Sequence, residues 1–375
     1  MRDFTNTKRI VIKVGTNILS DGNLIDVNFI GQIAEQISSL VRKGKHVILV
    51  TSGAIGMGAR KLRLQPKTSS IKKRQACAAV GQGFLMHEYQ EAFDRYDQKV
   101  GQVLITNAIL NNRKYYVNLK NCVETMLAMG VLPIVNENDC VSIEEIDLAF
   151  GDNDKLSALV ASKIDAELLV ILTDVEGLYD KNPRKSRSAK MIETVFEITE
   201  EIEEMAGRAG SYVGTGGMKA KINAIKIASQ AGCKVILAHG RVKNVINEII
   251  SGEKIGTLFL PKRSLSNRKR WILNTKSNGS VFLDDGAVQA VCQNRSLLPV
   301  GITGKRGNFK KGDILEICDQ TGSVVGKGIT AFSSGQIGKM LSKQKESVLE
   351  RSEVDKKIPI KRKAVVHAND LVLIS

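Results

Sequence analysis

Arg9-Ile10-Val11-Ile12-Lys13-Val14-Gly15-Thr16 is a short β-branched run that closes on a glycine and a hydroxyl residue. Such a run predicts a strand buried on both faces. Beyond it, apolar residues at Val27, Ile30, Ile33, Ala34, Ile37, Leu40 and Val41 keep helical spacing, and Gly44 supplies a stop. His46-Val47-Ile48-Leu49-Val50 is the next strand. The pattern repeats, with strands at 100–105, 131–135, 168–172 and 234–238 and helices at 115–129, 155–164 and 218–231. This alternation predicts an α/β fold, an open and mostly parallel sheet sandwiched by helices.

After Leu260-Pro261 the texture changes. Residues 263–274 are polar and basic around Arg268-Lys269-Arg270 and read as a linker. Short runs at 280–283, 286–291, 312–317 and 324–329, punctuated by glycine, predict strands of a small β-rich barrel. The charged stretch 355–363 reads as a solvated connector, and the alternating apolar residues of 364–373 as a returning strand. The expected division is 1–262, a linker at 263–274, and 275–375.

The 375 residues carry a net charge of +16, from 55 Lys+Arg against 39 Asp+Glu. Residues 1–262 hold 35 basic and 29 acidic residues, net +6, and residues 263–375 hold 20 and 10, net +10. The excess on the smaller part raises nucleic-acid binding as a function class. Phe282, Phe309 and Phe332 are isolated there, however, and form no stacking set. With 43% hydrophobic residues and 6 prolines the chain is not a disordered one. Its six scattered cysteines and four dispersed histidines lack the spacing of a disulfide framework or a zinc site. No apolar run approaches the roughly 20 residues of a membrane span. Residues 1–8 have no apolar leader, so a cytoplasmic protein is expected.

Five polar or glycine-rich clusters interrupt the larger part, most of them just after a strand, where open α/β sheets bind ligands. Lys13 lies within an apolar strand, where a buried ammonium needs an anionic partner; a lysine reaching out at a strand edge is the plainer reading. Thr51-Ser52-Gly53-Ala54 leads from a strand into a helix and offers hydroxyls and backbone N–H groups to an anion. Asn136-Glu137-Asn138-Asp139 at a strand end suits an ammonium, or is a polar turn. Asp152-Asn153-Asp154 opens a helix with more carboxylates than a cap requires. Gly214-Thr215-Gly216-Gly217-Met218-Lys219-Ala220-Lys221 resembles a phosphate cradle but lacks the spacing of a Walker loop. No GxGxxG follows the first strand, which argues against a dinucleotide-binding dehydrogenase. Two lysines beside glycine-rich turns and several carboxylates suit phosphoryl transfer, a reaction of positioning and charge neutralisation.

IVIKVGTN (10–17), VTSGAIGMG (50–58), PIVNENDCV (133–141), FGDNDKLSALVA (150–161), ILTDVEGLYDKNP (171–183) and GTGGMKAK (214–221) occur in this order. Together they resemble the amino acid kinase superfamily, and within it the glutamate 5-kinase family. The basic C-terminal part resembles the PUA domain that many members carry, around residues 275–354.

The resemblance implies ATP-dependent phosphorylation of the γ-carboxylate of L-glutamate, the first step of proline biosynthesis, with Mg2+ carried by the nucleotide and no protein metal site. It implies that Lys13 and Lys221 neutralise the transferring group and the leaving phosphate, with Asp154 as a third catalytic residue and with Asp152 and Asp154 dividing between them the orientation of the lysines, the amino acid or Mg2+. Ser52, Gly53, Asn138, Asp139, Asp152 and Asn153 are implied glutamate contacts. Thr173, Asp174, Thr215, Gly216, Gly217, Met218, Lys219, Ala220 and Lys221, with Lys13, are implied ATP contacts. Lys219 is an extra lysine in the loop and is expected to face solvent. In the family that it resembles, the region of the basic segment 61–74 forms a mobile loop near the glutamate site, and the resemblance implies proline as a feedback inhibitor there. A homodimer or tetramer is implied; the basic tail leaves RNA binding open, with no specific binding expected, and no membrane association is expected. Acetylglutamate kinase or aspartokinase chemistry, or an RNA-binding role for the tail, are the alternatives.

Overall fold

In the computed structural model the run Arg9–Val14 is strand β1, the fourth of eight strands in one sheet. The structure describes residues 2–21, 24–64, 70–141, 153–183, 185–186, 188–208, 217–261, 267–349 and 364–374. It divides into two units, Met1–Leu265 and Ser266–Ser375.

In the first unit β1 is followed by α1 (Thr16–Leu19), the antiparallel pair β2 (Ser20–Asp21) and β3 (Leu24–Ile25), α2 (Val27–Arg42) and β4 (His46–Val50). Next come α3 (Ala54–Lys61), α4 (Ile71–Asp94), β5 (Val100–Ile105), α5 (Asn107–Asn111), α6 (Arg113–Ala128) and β6 (Leu132–Glu137). The remainder runs α7 (Asp154–Lys163), β7 (Leu168–Thr173), β8 (Thr194–Val195), α8 (Glu200–Arg208) and α9 (Met218–Gln230). It ends with β9 (Lys234–His239), α10 (Val245–Ser251) and β10 (Thr257–Phe259). The sheet order is β5-β6-β4-β1-β7-β9-β10-β8. All neighbours are parallel except β9 and β10. From β1 the chain builds outward to β4 on one side and later to β7 on the other, so a crevice opens beyond the carboxyl ends of these strands.

Side-chain alternation along β1 assigns its residues to two cores. Ile10, Ile12 and Val14 join one with Ile33 of α2, Tyr89 of α4 and Ile249 of α10. Val11 joins the other with Leu159 of α7 and Ile225 of α9. Each such apolar side chain contributes about 1.5–3 kcal/mol on full burial. Lys13 has the parity of Val11, so it enters the layer of α7 and α9. Helices α3 and α4 cross closely: a Cβ on Gly58 would lie 1.7 Å from the Cys77 carbonyl oxygen, and one on Gly81 1.9 Å from that of Ala54. Only glycine permits this approach, and it seats the buried face of α4, with Gln82 and Tyr89, against the start of α3.

The second unit contains α11 (Asn267–Asn274), β11 (Gly279–Leu283), α12 (Asp285–Cys292), β12 (Ile302–Arg306), β13 (Ile314–Cys318), β14 (Val324–Thr330), α13 (Ser334–Leu349) and β15 (Val366–Leu373). Among the described residues its sheet runs β12-β11-β13-β14-β15, with β11 and β13 parallel and the other neighbours antiparallel. Val281, Leu283, Phe309, Leu315, Ile317 and Val366 lie in its core. Residues 286–291, expected as a strand, instead lie in α12. Asp284 caps that helix by accepting from the Ala287 N–H at 2.7 Å, and Val291 is buried on its inner face. Within the stretch read as a linker, α11 buries Trp271 and Ile272. Part of this unit's basic excess is structural. Arg268 pairs with Asp370, and Lys327 donates to the carbonyls of Leu273 and Thr275 at the end of α11. Burial there lowers the Lys327 pKa. The expected final strand is β15; the charged stretch 355–363 lies outside the described residues. Among the described residues no helix is long and apolar enough to cross a membrane.

Candidate active site

Lys13, near the end of β1, is fully buried, and its Nζ lies 2.8 Å from Asp154 Oδ1. The Nζ of Lys221 lies 3.0 Å from Asp154 Oδ2, so two ammonium groups converge on one carboxylate. The side chains of Asp154 and Lys221 are 1% and 5% exposed, which removes this triad from bulk water. Three elements bring it together. Lys13 enters from the sheet, Asp154 is the first residue of α7, and Lys221 lies in the first turn of α9. In water such an arrangement would be screened. In a buried site fixed charges act on a developing anion at full strength and without reorganising. The plainer reading of Lys13, a lysine reaching out at a strand edge, does not apply.

A second cluster lies alongside, at the ends of β4 and β6. Asn153 has left-handed backbone, φ 49°, at the N-cap position of α7, yet its side chain makes no capping bond. Its Nδ2 donates instead to the Thr51 carbonyl oxygen and, at 2.7 Å, to Asn136 Oδ1. Asn136 Nδ2 donates to Gln82 Oε1 at 2.8 Å, and Asn136 Oδ1 also accepts from the Glu137 N–H. The hydroxyls of Thr51 and Tyr89 lie 2.8 Å apart. Burial raises the Tyr89 pKa, keeping its phenol neutral, although the Thr51 hydrogen bond opposes the shift. Ser52 is buried, and its Oγ has no hydrogen-bond partner among the described residues. A buried hydroxyl left so costs about 1–3 kcal/mol, which a polar ligand would offset.

At the end of β7, Thr173 Oγ1 donates to Asp174 Oδ1 at 3.1 Å, and Asn17 Nδ2 donates to Asp174 Oδ2 at 3.0 Å. Partial burial pushes the Asp174 pKa up, but these hydrogen bonds, its own backbone N–H and the charge of Lys221 hold it below the ordinary aspartate value. Gly53 is the N-cap of α3 with φ 100°, a conformation side chains rarely adopt. Neither α3 nor α9 has an acidic residue in its first turn, so both positive helix ends suit an anion.

The remaining candidates are spread more widely. Asn138 and Asp139 are half-buried in the turn after β6, where the Asn138 N–H donates to the Ile105 carbonyl. Gly217 is the N-cap of α9; Met218 and Ala220 are half-buried, and Lys219 is exposed. Asp152, Thr215 and Gly216, and residues 65–69 of the basic segment, lie outside the described residues. Among the described residues no group of three or more His, Cys, Asp or Glu side chains is placed to hold a metal ion.

Sequence reasoning does not reach Gln82 or Tyr89, and it reaches Asn136 only as a member of its polar cluster. Asn136 belongs to the quartet 136–139, in which it and Glu137 are both buried, and it is Asn136 that bonds Asn153. Gln82 and Tyr89 are seven residues apart on α4 and share a face. A glutamine on an otherwise small and apolar helix face was the available signal.

The model of the amino acid kinase family matches residues 8–239, and that of the PUA domain residues 279–351. The chain is 47% identical over 347 residues to the glutamate 5-kinase of Methanosarcina mazei, covering 90% of each chain. It is 44% identical over 336 residues to that of Caldanaerobacter subterraneus, covering 88% of this chain and 90% of the relative. It is 41% identical over 379 residues to that of Desulfotalea psychrophila, covering 99% and 98%. Among solved structures, a carbamate kinase from Giardia lamblia bound to AMP-PNP superposes with a TM-score of 0.50 at 18% identity, covering 69% of this chain and all of that one. That similarity supports the fold alone. The chain belongs to the amino acid kinase family, and within it to the glutamate 5-kinases, and carries a C-terminal PUA domain.

Proposed function

We propose that this chain transfers the γ-phosphoryl group of ATP to the γ-carboxylate of L-glutamate, giving L-glutamyl 5-phosphate for proline biosynthesis. The observation that carries this reading is the pair of buried lysines on Asp154 in a chain 47% identical to a glutamate 5-kinase. A glutamate γ-carboxyl, with a pKa of about 4.3, is ionised at neutral pH, so the acceptor needs no general base. The obstacle is repulsion between this carboxylate and the triphosphate.

A carboxylate oxygen attacks the γ-phosphorus, and the bond from that phosphorus to the bridging oxygen breaks, leaving ADP. No proton moves. Lys13 and Lys221 offset the charge on the transferring group and on the departing phosphate, and Asp154 holds both ammonium groups in place. Mg2+ brought with the nucleotide would add to that neutralisation. Ser52, Gly53, Asn138, Asp139, Asp152 and Asn153 hold glutamate. Thr173, Asp174 and residues 215–221 line the nucleotide site.

Proline inhibition through the basic segment 61–74, a cytoplasmic location and a dimer or tetramer belong to the same reading. The PUA domain match supports a secondary one, weak and non-specific RNA binding by the second unit. With ATP and hydroxylamine, a panel of L-glutamate, N-acetyl-L-glutamate and L-aspartate should yield hydroxamate from L-glutamate alone, and the rate should fall across a millimolar proline titration. Comparable turnover of another acceptor would replace the substrate assignment. A flat proline titration would remove the inhibition.

A further inference from the structure

The amide network around Asn153 has a polarity that two backbone groups determine. Ordinarily an asparagine or glutamine can be turned over without changing its shape. Here the Thr51 carbonyl can only accept, so Asn153 must face it with Nδ2. The Glu137 N–H can only donate, so Asn136 must face it with Oδ1. Asn136 then has Nδ2 left for Gln82, which must receive it on Oε1. Gln82 is thereby obliged to present Nε2 as a donor. It is 9% exposed, and this nitrogen has no hydrogen-bond partner among the described residues. The nearby Ser52 Oγ shares that condition.

We infer that Gln82 is a substrate-binding residue whose Nε2 donates to the α-carboxylate of the amino-acid substrate. The inference rests on the proposed glutamate-kinase reading. The assignment to the α end follows from the layout. The γ-carboxylate must lie at Lys13 and Lys221, beside Asp154. Gln82 is two side-chain hydrogen bonds away, through Asn136 and then Asn153, the neighbour of Asp154. A donor at that remove serves the far end of an extended dicarboxylate. The same polarity directs Asn153 Oδ1 toward a donor, which suits the α-ammonium group. The network thus sorts an amino acid by its zwitterionic end, with an orientation that its amides cannot reverse.

Gln82→Glu tests this directly. It keeps an oxygen for Asn136 but replaces the donor by a negatively charged acceptor. In the full-length protein the KM for L-glutamate should rise roughly 100-fold or more. The KM for ATP and the kcat at saturating glutamate should stay within a few-fold, and the urea midpoint close to wild type. Should that variant fail to fold, Gln82→Met, of similar volume but lacking both the donor and the oxygen that Asn136 uses, is expected to raise the KM for glutamate roughly 10-fold or more. An unchanged KM for glutamate in a folded variant overturns the assignment. So does a loss confined to kcat, which would place Gln82 at the reacting end. Wild-type protein that forms no hydroxamate from glutamate would defeat the functional reading itself, a result distinct from either.

Discussion

Lys13→Ala and Lys221→Ala are each expected to lower kcat by roughly 100- to 1,000-fold, while the KM for glutamate should move only a few-fold. The expected asymmetry follows from where charge changes during the reaction. On the proposed reading several other groups also hold glutamate and ATP in the ground state, so one ammonium would contribute a modest share of binding. In the transition state negative charge spreads over the transferring group and the departing phosphate. A buried ammonium aimed there stabilises it far more than one in water. Both lysines are held by the same carboxylate, at 2.8 and 3.0 Å, and act as a unit. The double variant should therefore lose less than the product of the single losses. Steady-state kinetics of the three variants checks this; near-wild-type turnover in either single variant would remove that lysine from the reaction.

Asp154→Ala should lose both activity and stability. Removing one member of a buried ion pair costs about 3–5 kcal/mol, because the remaining charge stays desolvated. Here the lost carboxylate is shared by two ammonium groups, with Lys13 fully buried and Lys221 nearly so. The urea midpoint of the full chain should fall accordingly. Adding Lys13→Met, which withdraws one of the facing charges, should recover part of that stability and none of the activity. Such a split separates the structural role of Asp154 from the catalytic one. An Asp154→Ala protein as stable as wild type would show that the lysines do not depend on this carboxylate.

Much of this was legible in the strands. A β-branched run such as Ile10-Val11-Ile12 has few options, and a lysine within it announces an anion, since burial there is otherwise costly. The first residue of α7 and the first turn of α9 could also be placed, because glycine and acid-rich turns mark helix starts. What stayed hidden depended on pairing between distant segments. Gly58 and Gly81 matter because α3 and α4 cross on them, and nothing in either stretch names the other as its partner. Beyond the small and apolar helix face around it, nothing local to Gln82 marks it as a site residue. The misread strand at 286–291 has a local cause. Short apolar runs do not separate helix from strand by period, and the Asp284 cap was the deciding feature.

The role proposed for the buried lysine pair is transfer from ATP to a carboxylate oxygen of glutamate. Glutamate labelled with oxygen-18 in its γ-carboxylate tests it most directly, with the product trapped by hydroxylamine and the released phosphate analysed by mass. Attack by the carboxylate predicts that labelled oxygen appears in that phosphate, one atom per turnover, and that Lys13→Ala and Lys221→Ala slow its appearance in step with kcat. Unlabelled phosphate, formed at the same rate with or without glutamate, would mean that water is the acceptor and would contradict the account.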